Sequence, residues 1–386
     1  MKDGGLALLS LALEPEADAP HGDAVEWVEA ARAWAPPADV GTRTVQVEWA
    51  VEGWIQAGKV GALVAGGGTG KTTLLIVLGV CIALGWAFFG HTVKRGSFVI
   101  LSNDDTQDDL DGVLALIVQA LRLSAEDADT VARKLRLISL IGKGGGKTFT
   151  MTIGGVVSPT DLPVLLCRAV EGIDDLVGVA LDTLRQFSGG SSNDEQVIKL
   201  TIAGATEFAA SRRAFVVLPH HTGKQNYREQ IADMYCGSGS AAIADNCRFV
   251  LLLQATTWGD IESKVQRTGQ ERGDPLVLRS TRGSMLVKEP PPMFLHRDGY
   301  FIGMVKGKTL THDEQADKKD RAILRAVREG AQSKTAILGK TGGKKQTVFD
   351  RIGELEDLGY LSNGSQSGSP KYVLTTNGAN FLDRYP

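Results

Sequence analysis

Cysteine is scarce. The four in 386 residues, Cys81, Cys167, Cys236 and Cys247, form no CxxC pair and no metal-ligand spacing, which argues against a disulfide framework and fits a reducing cytoplasm. An excess of charge of one sign is also missing. The formal net charge is −3, so the chain as a whole is not composed as a nucleic-acid binder. Membrane-spanning length is lacking too. The apolar run Leu74 to Phe89 carries no charge, but it is shorter than the roughly 20 residues a span needs, contains Gly79 and Gly85, and lies between Lys71 and His91. The apolar stretch Leu6 to Leu13 follows Asp3 and precedes Glu14 and Glu16 without a small-residue cleavage site, so no secretory signal is expected.

What is present is enough apolar material, 43% of residues, for one large α/β domain and a smaller one. Charge is distributed unevenly. Residues 1–45 hold three basic and eight acidic side chains, whereas 318–386 hold twelve basic and seven acidic. That asymmetry points to a polyanionic partner for the tail. The Ala-, Pro-, Asp- and Glu-rich residues 1–44 read as a flexible arm with one helical patch, Ala24 to Ala33.

The chain is organised around Val60 to Ala87. An apolar strand (Val60, Ala62, Leu63, Val64) runs into Gly66-Gly67-Gly68-Thr69-Gly70-Lys71-Thr72-Thr73 and then into an apolar helix expected over Thr73 to Phe89. Small residues let successive backbone N–H groups close on phosphate oxygens, a lysine reaches the terminal phosphates, and a hydroxyl ligates Mg²⁺. Lys71 and Thr72 occupy those positions, and the helix N-terminus adds its positive dipole end. Counting back from Gly70 places Ala65 where this phosphate-loop pattern has glycine, a conservative departure. Another glycine-rich run, Gly142-Lys143-Gly144-Gly145-Gly146-Lys147-Thr148, is one residue short of the pattern and has no apolar helix behind it, so it reads as a hairpin or loop.

Buried strands then alternate with helices, the pattern of a parallel sheet covered on both faces. Gly96 to Leu101 ends in Ser102-Asn103-Asp104-Asp105, and Leu135 to Leu140 is a further strand. Leu176 to Leu181 ends in Asp182, and Ala214 to Leu218 ends in Pro219-His220-His221. Functional groups in such sheets gather beyond the carboxyl ends of the strands. Asp182 is therefore expected in the Mg²⁺ shell, Asp104 or else Asp105 beside the attacking water, and the histidine pair near the γ-phosphate. The acidic run Asp108, Asp109 and Asp111 reads as a solvated helix start. Lys224 to Gly239 is a long polar loop of the kind that is functional or disordered. Phe249 to Gln254, Val277 to Arg279 and Phe294 to Ile302 complete a strand-rich edge.

Residues 306–319 read as a polar linker. Beyond it, Arg321 to Arg328, a Ser333-capped helix with Ile337 and Leu338, and Lys344 to Leu358 supply three helices. Leu361 to Thr376, broken by a Gly/Ser-rich segment, reads as a two-stranded wing. Such a winged helix-turn-helix over 320–386 would present Lys344, Lys345, Gln346, Thr347 and Arg351 from its third helix to a major groove. A protein-binding winged helix is the alternative.

The order of these pieces resembles the RecA-like AAA ATPases, and is similar to the plasmid hexameric replicative helicase RepA. The residues that carry the likeness are the phosphate loop, Val99-Ile100-Leu101-Ser102-Asn103-Asp104-Asp105, Leu181-Asp182-Thr183-Leu184-Arg185-Gln186-Phe187, His220-His221, Gly239-Ser240 and Asp245-Asn246-Cys247-Arg248-Phe249. The resemblance covers residues 45–305. It implies a homo-oligomeric ring, a hexamer, with ATP and Mg²⁺ at each subunit interface and single-stranded DNA in the channel, while the tail would take duplex DNA. It also implies that His221 senses phosphate and that Arg248 is an arginine finger reaching the neighbour's ATP, with Arg279 and Arg282 as rivals. The family has glutamate where Asp104 stands. A replicative helicase or initiator of a plasmid, phage or other mobile element is the leading expectation. A recombinase-like or loader ATPase that does not unwind DNA, and an ATP-binding regulator without turnover, are the competing ones.

Overall fold

The computed structural model describes residues 29–42, 47–143, 147–223, 233–235, 237, 241–283, 289–365 and 368–383. The chain divides into two compact units, residues 1–46 and 47–386. In the first, residues 29–33 are helical, 38–42 form a turn, and every described residue is exposed. The beginning of the helix expected over Ala24 to Ala33 lies outside the described residues.

The second unit is built on a nine-stranded sheet. Its strands are β1 (Val60–Ala65), β2 (Ser97–Ser102), β3 (Leu135–Ser139), β4 (Leu176–Asp182), β5 (Phe215–His221), β6 (Phe249–Ala255), β7 (Asp274–Gly283), β8 (Met293–Asp298) and β9 (Phe301–Met304). Their order is β9-β8-β7-β6-β1-β5-β4-β2-β3. The run from β6 to β3 is parallel throughout, and β7, β8 and β9 extend it with antiparallel pairings. The expected mostly parallel sheet is therefore present, with an antiparallel edge.

Near-continuous apolar strands require cover on both faces, and alternate side chains divide between two cores. Leu63 and Ala65 of β1 pack with α1 (Lys71–Leu84), α2 (Gln107–Leu121) and α3 (Ala125–Lys134) through residues such as Leu75, Ile117 and Val131. Val60, Ala62 and Val64 pack on the other face with α4 (Leu162–Ala169) and α5 (Glu195–Arg212) through Leu166, Ile202 and Phe208.

Helix α1 is shorter than its apolar run. It stops at Leu84 because Gly85 takes a left-handed conformation, and the N–H of Trp86 bonds the Cys81 carbonyl. The run Phe294 to Ile302 is a hairpin rather than one strand, broken at Gly299 (φ 59°). Residues 306–319 are not a plain connector. Gly307–Thr309 pairs with Val265–Arg267, and helix α6 (His312–Arg328) already starts behind Thr311. A reciprocal capping box of Thr311 and Glu314 fixes that start.

The remainder of the tail comprises α7 (Lys334–Thr341), α8 (Lys345–Asp357), the antiparallel pair β10 (Leu361–Asn363) and β11 (Tyr372–Leu374), and a further helix, α9 (Thr376–Asp383). Ile323, Leu324, Ile337, Val348, Ile352 and Leu355 gather into a core of their own. Leu358, expected on the buried stripe of α8, sits past its end and is exposed.

Two glycines in the sheet are demanded by aromatic packing. A Cβ on Gly61 would fall 2.2 Å from the Phe249 ring, and one on Gly178 would fall 2.3 Å from Phe215. Phe215 is fully buried and stacks on Phe98 at 5.5 Å, so it has nowhere to move. Gly178→Ala is expected to cost about 1–3 kcal/mol of unfolding free energy, the usual range for overpacking. A urea titration checks this, and an unchanged midpoint would show that the ring yields.

Candidate nucleotide site

Strand β1 ends at Ala65, paired on either side with His221 and Leu253. Its backbone φ is not positive, so alanine meets no strain where the pattern has glycine. The next residues form the loop, and Gly68 (φ 71°) and Gly70 (φ 105°) adopt conformations that favour glycine. Lys71 opens α1 and its side chain folds back over the loop. The Nζ donates to the Gly66 carbonyl at 3.3 Å and lies 3.4 Å from Nδ1 of His221. An ammonium can only donate, so Nδ1 accepts and the His221 proton resides on Nε2. Burial depresses the pKa of His221, and Lys71 adds to the effect. Burial likewise lowers that of Lys71, opposed by Asp182, Asp104 and Asp105.

Thr72, the next residue of α1, donates its hydroxyl to Oδ2 of Asp182 at 3.0 Å, with Oδ2 of Asp105 at 3.3 Å. Asp182 is only 2% exposed. Burial pushes its pKa up to about 6, with Asp105 and Asp104 raising it further against Thr72 and Lys71. Burial is also the main cause of the raised pKa of Asp105. Two carboxylates and a hydroxyl are hard oxygen donors. They are too few to cage an ion alone, which suits Mg²⁺ completed by phosphate oxygens and water. No cluster of three or more His, Cys, Asp or Glu placed for a metal exists among the described residues.

Asp104 and Asp105 are separated in role by local hydrogen bonds. The Ser102 hydroxyl accepts from both their backbone N–H groups, at 3.2 and 3.0 Å, and Ser139 donates to the Asp105 carbonyl at 2.8 Å. Asp105 is thereby turned to Thr72. Asp104 faces the same cavity, its Oδ1 accepting from Nε2 of Gln186 at 3.1 Å. Of the histidine pair, His221 faces the loop, whereas His220 is buried on the opposite side of β5, toward Gly237.

The cavity, about 270 Å³, is lined by Gly68, Gly70, Lys71, Thr72, Thr73, four aspartates (Asp104, Asp105, Asp109 and Asp182) and His221, and it includes two hairpin residues that sequence reasoning missed. Arg297 and Tyr300 come from the β8–β9 hairpin; Arg297 donates Nη1 to the Gly68 carbonyl and Nε to Gly299 O at 2.9 Å. The Asp298-Gly299 pair is a hairpin signal, but nothing local tells that its tip closes over a loop more than two hundred residues earlier.

The expected arginines lie elsewhere. Arg248 is exposed, and its backbone N–H bonds Val60 O at 2.7 Å, at the amino ends of the parallel strands. The phosphate loop is at their carboxyl ends, roughly 17 Å away for five residues at about 3.3 Å each. Arg279 pairs with Leu252 in mid-strand, its Nε buried without a partner among the described residues. Arg282 is opposite Val250, and its side chain lies outside the described residues. In the tail, Lys344 is the N-cap of α8, Lys345 stands over the Phe349 ring, Gln346 donates to Asp350 and the Thr347 carbonyl accepts from Lys319. Arg351 is committed: it forks onto Asp320 at 2.6 and 2.7 Å and also pairs with Glu354, so it is not held ready for a phosphate. Lys224 and most of the long loop after it lie outside the described residues, as do Gly144-Gly145-Gly146.

Residues 29–227 match the AAA-domain family AAA_25. The chain belongs to this AAA-domain family. Three solved structures are similar to it. The first is a KaiC-like protein from the archaeon Pyrococcus horikoshii, 12% identical at a TM-score of 0.40, covering 68% of this chain and 99% of that one. The RadB recombinase is 11% identical at 0.40, covering 65% and 92%. A DnaB-like replicative helicase is 9% identical at 0.45, covering 73% of this chain and 66% of the helicase. The AAA-domain match ends before β6, so Arg248, Arg297 and the tail lie beyond it. No helix among the described residues is long and apolar enough to cross a membrane.

The AAA domain's buried acid has a measurable consequence. A carboxyl whose pKa is higher in the folded state binds its proton more tightly there. Stability from Asp182 is therefore fully present below pH 4 and is lost as pH rises through about 6. Without nucleotide or metal, Asp182→Asn should stabilise the protein at pH 7 by up to about 3 kcal/mol, two pKa units at 1.36 kcal/mol each. It should have little effect at pH 3.5. Chemical denaturation at both pH values checks this, and equal effects at the two would remove the buried charge as the cause.

Proposed function

We propose that this AAA-domain protein is an ATP hydrolase that drives a ring-forming, RepA-like replicative DNA helicase or initiator of a mobile element. The observation that carries the reading is the hydroxyl of Thr72 between Asp182 and Asp105, one residue from a lysine that touches His221. Those groups together suit a magnesium–triphosphate and a detector of its terminal phosphate.

In this reading the half-dehydrated Lys71 ammonium leaves Gly66 and His221 for phosphate oxygens, whose negative charge offsets its burial. His221, released from Lys71, carries the change to the end of β5, which leads directly into the segment after Thr222. Bound Mg²⁺ would supply positive charge between the phosphate oxygens, held by Thr72 and Asp182. With Asp105 engaged by Thr72, Asp104 is left to orient the attacking water, steadied by Gln186. Arg297 and Tyr300 cover the loop from the same subunit. Arg248, at the other end of the strands, is too far to serve its own site and suits a neighbour's. Helices α6, α7 and α8 followed by β10 and β11 have the order of a winged helix-turn-helix, and its net positive charge supports DNA as the partner.

A finger supplied in trans is typically worth about 10³–10⁵ in rate. Lys71→Ala and Arg248→Ala are each expected to lower DNA-stimulated phosphate release at least 10³-fold, and mixing the two should restore part of it through interfaces that pair an intact loop with an intact arginine. Full activity of Arg248→Ala alone would remove that residue. Magnesium-dependent triphosphate binding that is indifferent to Lys71→Ala would sink the whole reading.

A further inference from the structure

The exposed start of helix α8 forms one wall of a cleft whose other wall is the ATPase core. The cleft, about 590 Å³, is lined on the core side by Lys264 and the helix Trp258–Glu262, and on the tail side by Lys319, Lys344, Ile323 and Val348. Its lysines come from three separate elements. The half-buried Lys264 ammonium lies over the Phe294 ring at 5.7 Å, and exposed Lys344 has no side-chain hydrogen bond or ion pair among the described residues. Lys319 spans to the Thr347 carbonyl at 3.4 Å.

The acids nearest to these lysines are already engaged. The Asp260 carboxylate accepts from the hydroxyl of Thr257, the N-cap of its helix, at 2.8 Å, and Glu262 pairs with Arg267 at 3.0 Å. The result is an excess of positive charge in a confined, partly apolar space. Its cost is visible at Lys264, whose pKa is lowered by burial first and then by Arg279, with Asp260 opposing and Lys344 adding to the fall. Burial and Arg351 likewise lower that of Lys319, against Asp320, Glu354 and Asp350. Cations from the core and the tail face one another here, and an anion entering the cleft would relieve both the repulsion and the burial.

We propose that this cleft is a binding site for the phosphodiester backbone of single-stranded nucleic acid, gripped by the core and the tail together. The proposal rests on the DNA reading given above, but puts the strand on the core-facing side of α8 rather than in a major groove. The volume suits one or two nucleotides and is far too small for a duplex. Lysines are point charges that grip phosphate without reading sequence. A strand held here links the two parts of the molecule, so that movement of the core pulls on what the tail holds.

The test uses the full chain and a labelled dT20 oligonucleotide, followed by fluorescence anisotropy at several salt concentrations. Lys264→Gln combined with Lys319→Gln should weaken binding at least tenfold. It should also flatten the dependence of log K on log salt by about 1.4, at roughly 0.7 per lost phosphate contact on a single strand. On the wild-type protein, where no folding question arises, dT20 should protect Lys264, Lys319 and Lys344 from an amine-acylating reagent. Equal protection by pyrophosphate or dTMP at the same phosphate concentration would make the cleft a small-anion pocket and overturn the strand path. If dT20 binds with unchanged affinity in the double variant and leaves the three lysines reactive, the strand runs elsewhere and only this proposal falls. If the wild type binds neither dT20 nor duplex with any nucleotide, the DNA reading itself fails and takes the proposal with it.

Discussion

The arrangement depends on charge held out of water at the carboxyl ends of β1, β4 and β5. An ammonium, Lys71, and a carboxylate, Asp182, are both buried there, and each sits at an energetic disadvantage that its neighbours only partly offset. Two apolar cores hold both ions in place at the wall of the cavity. One way to stabilise the site is to bring in a ligand with complementary charge on both sides: anionic oxygens for Lys71 and a cation for Asp182 and Thr72. A magnesium–triphosphate has that distribution. The unfavourable burial of these two ions is thus a source of binding selectivity, because a ligand bearing only one sign of charge would satisfy only half of it.

Topology is what brings these ions together. Parallel strands all finish at the same edge, so residues that follow separate apolar runs, at positions 71, 105, 182 and 221, converge without any local sequence relation. The same rule sends Arg248 to the far edge, since it precedes its strand. A single subunit therefore has acids, lysine and histidine in one place and this arginine at the other end. That division follows from strand direction alone.

Much of this could be read from the sequence because the signals are local. The glycine loop between an apolar strand and an apolar helix needs only its own residues, and Asp182 announces itself as the first polar group after a buried run, whereas of the pair His220-His221 only the family resemblance singled out His221. What could not be read depends on distant partners. Whether Asp104 or Asp105 meets Thr72 is decided by Ser102 and Ser139 pinning the loop between them. Arg297 reaches Gly68 only because an antiparallel edge is added beside β6. Arg351 has the spacing of a groove-facing residue on α8, yet the buried Asp320 on α6 captures it bidentately. A helical pattern indicates which face is polar; it does not say which polar residue is taken by a buried acid on the next helix.

That capture bears on how the tail works. Once Arg351 is tied to α6, the unengaged cations near the start of α8 are those turned toward the core, and the capping box at Thr311 makes α6 begin immediately after the strand that ties the tail to the core. A stiff helix rooted in that pairing transmits displacement far better than a loose polar connector would. The tail is thereby placed to respond to the ATPase core as a lever rather than as a tethered weight, and the facing lysines lie along the seam where that response would be felt.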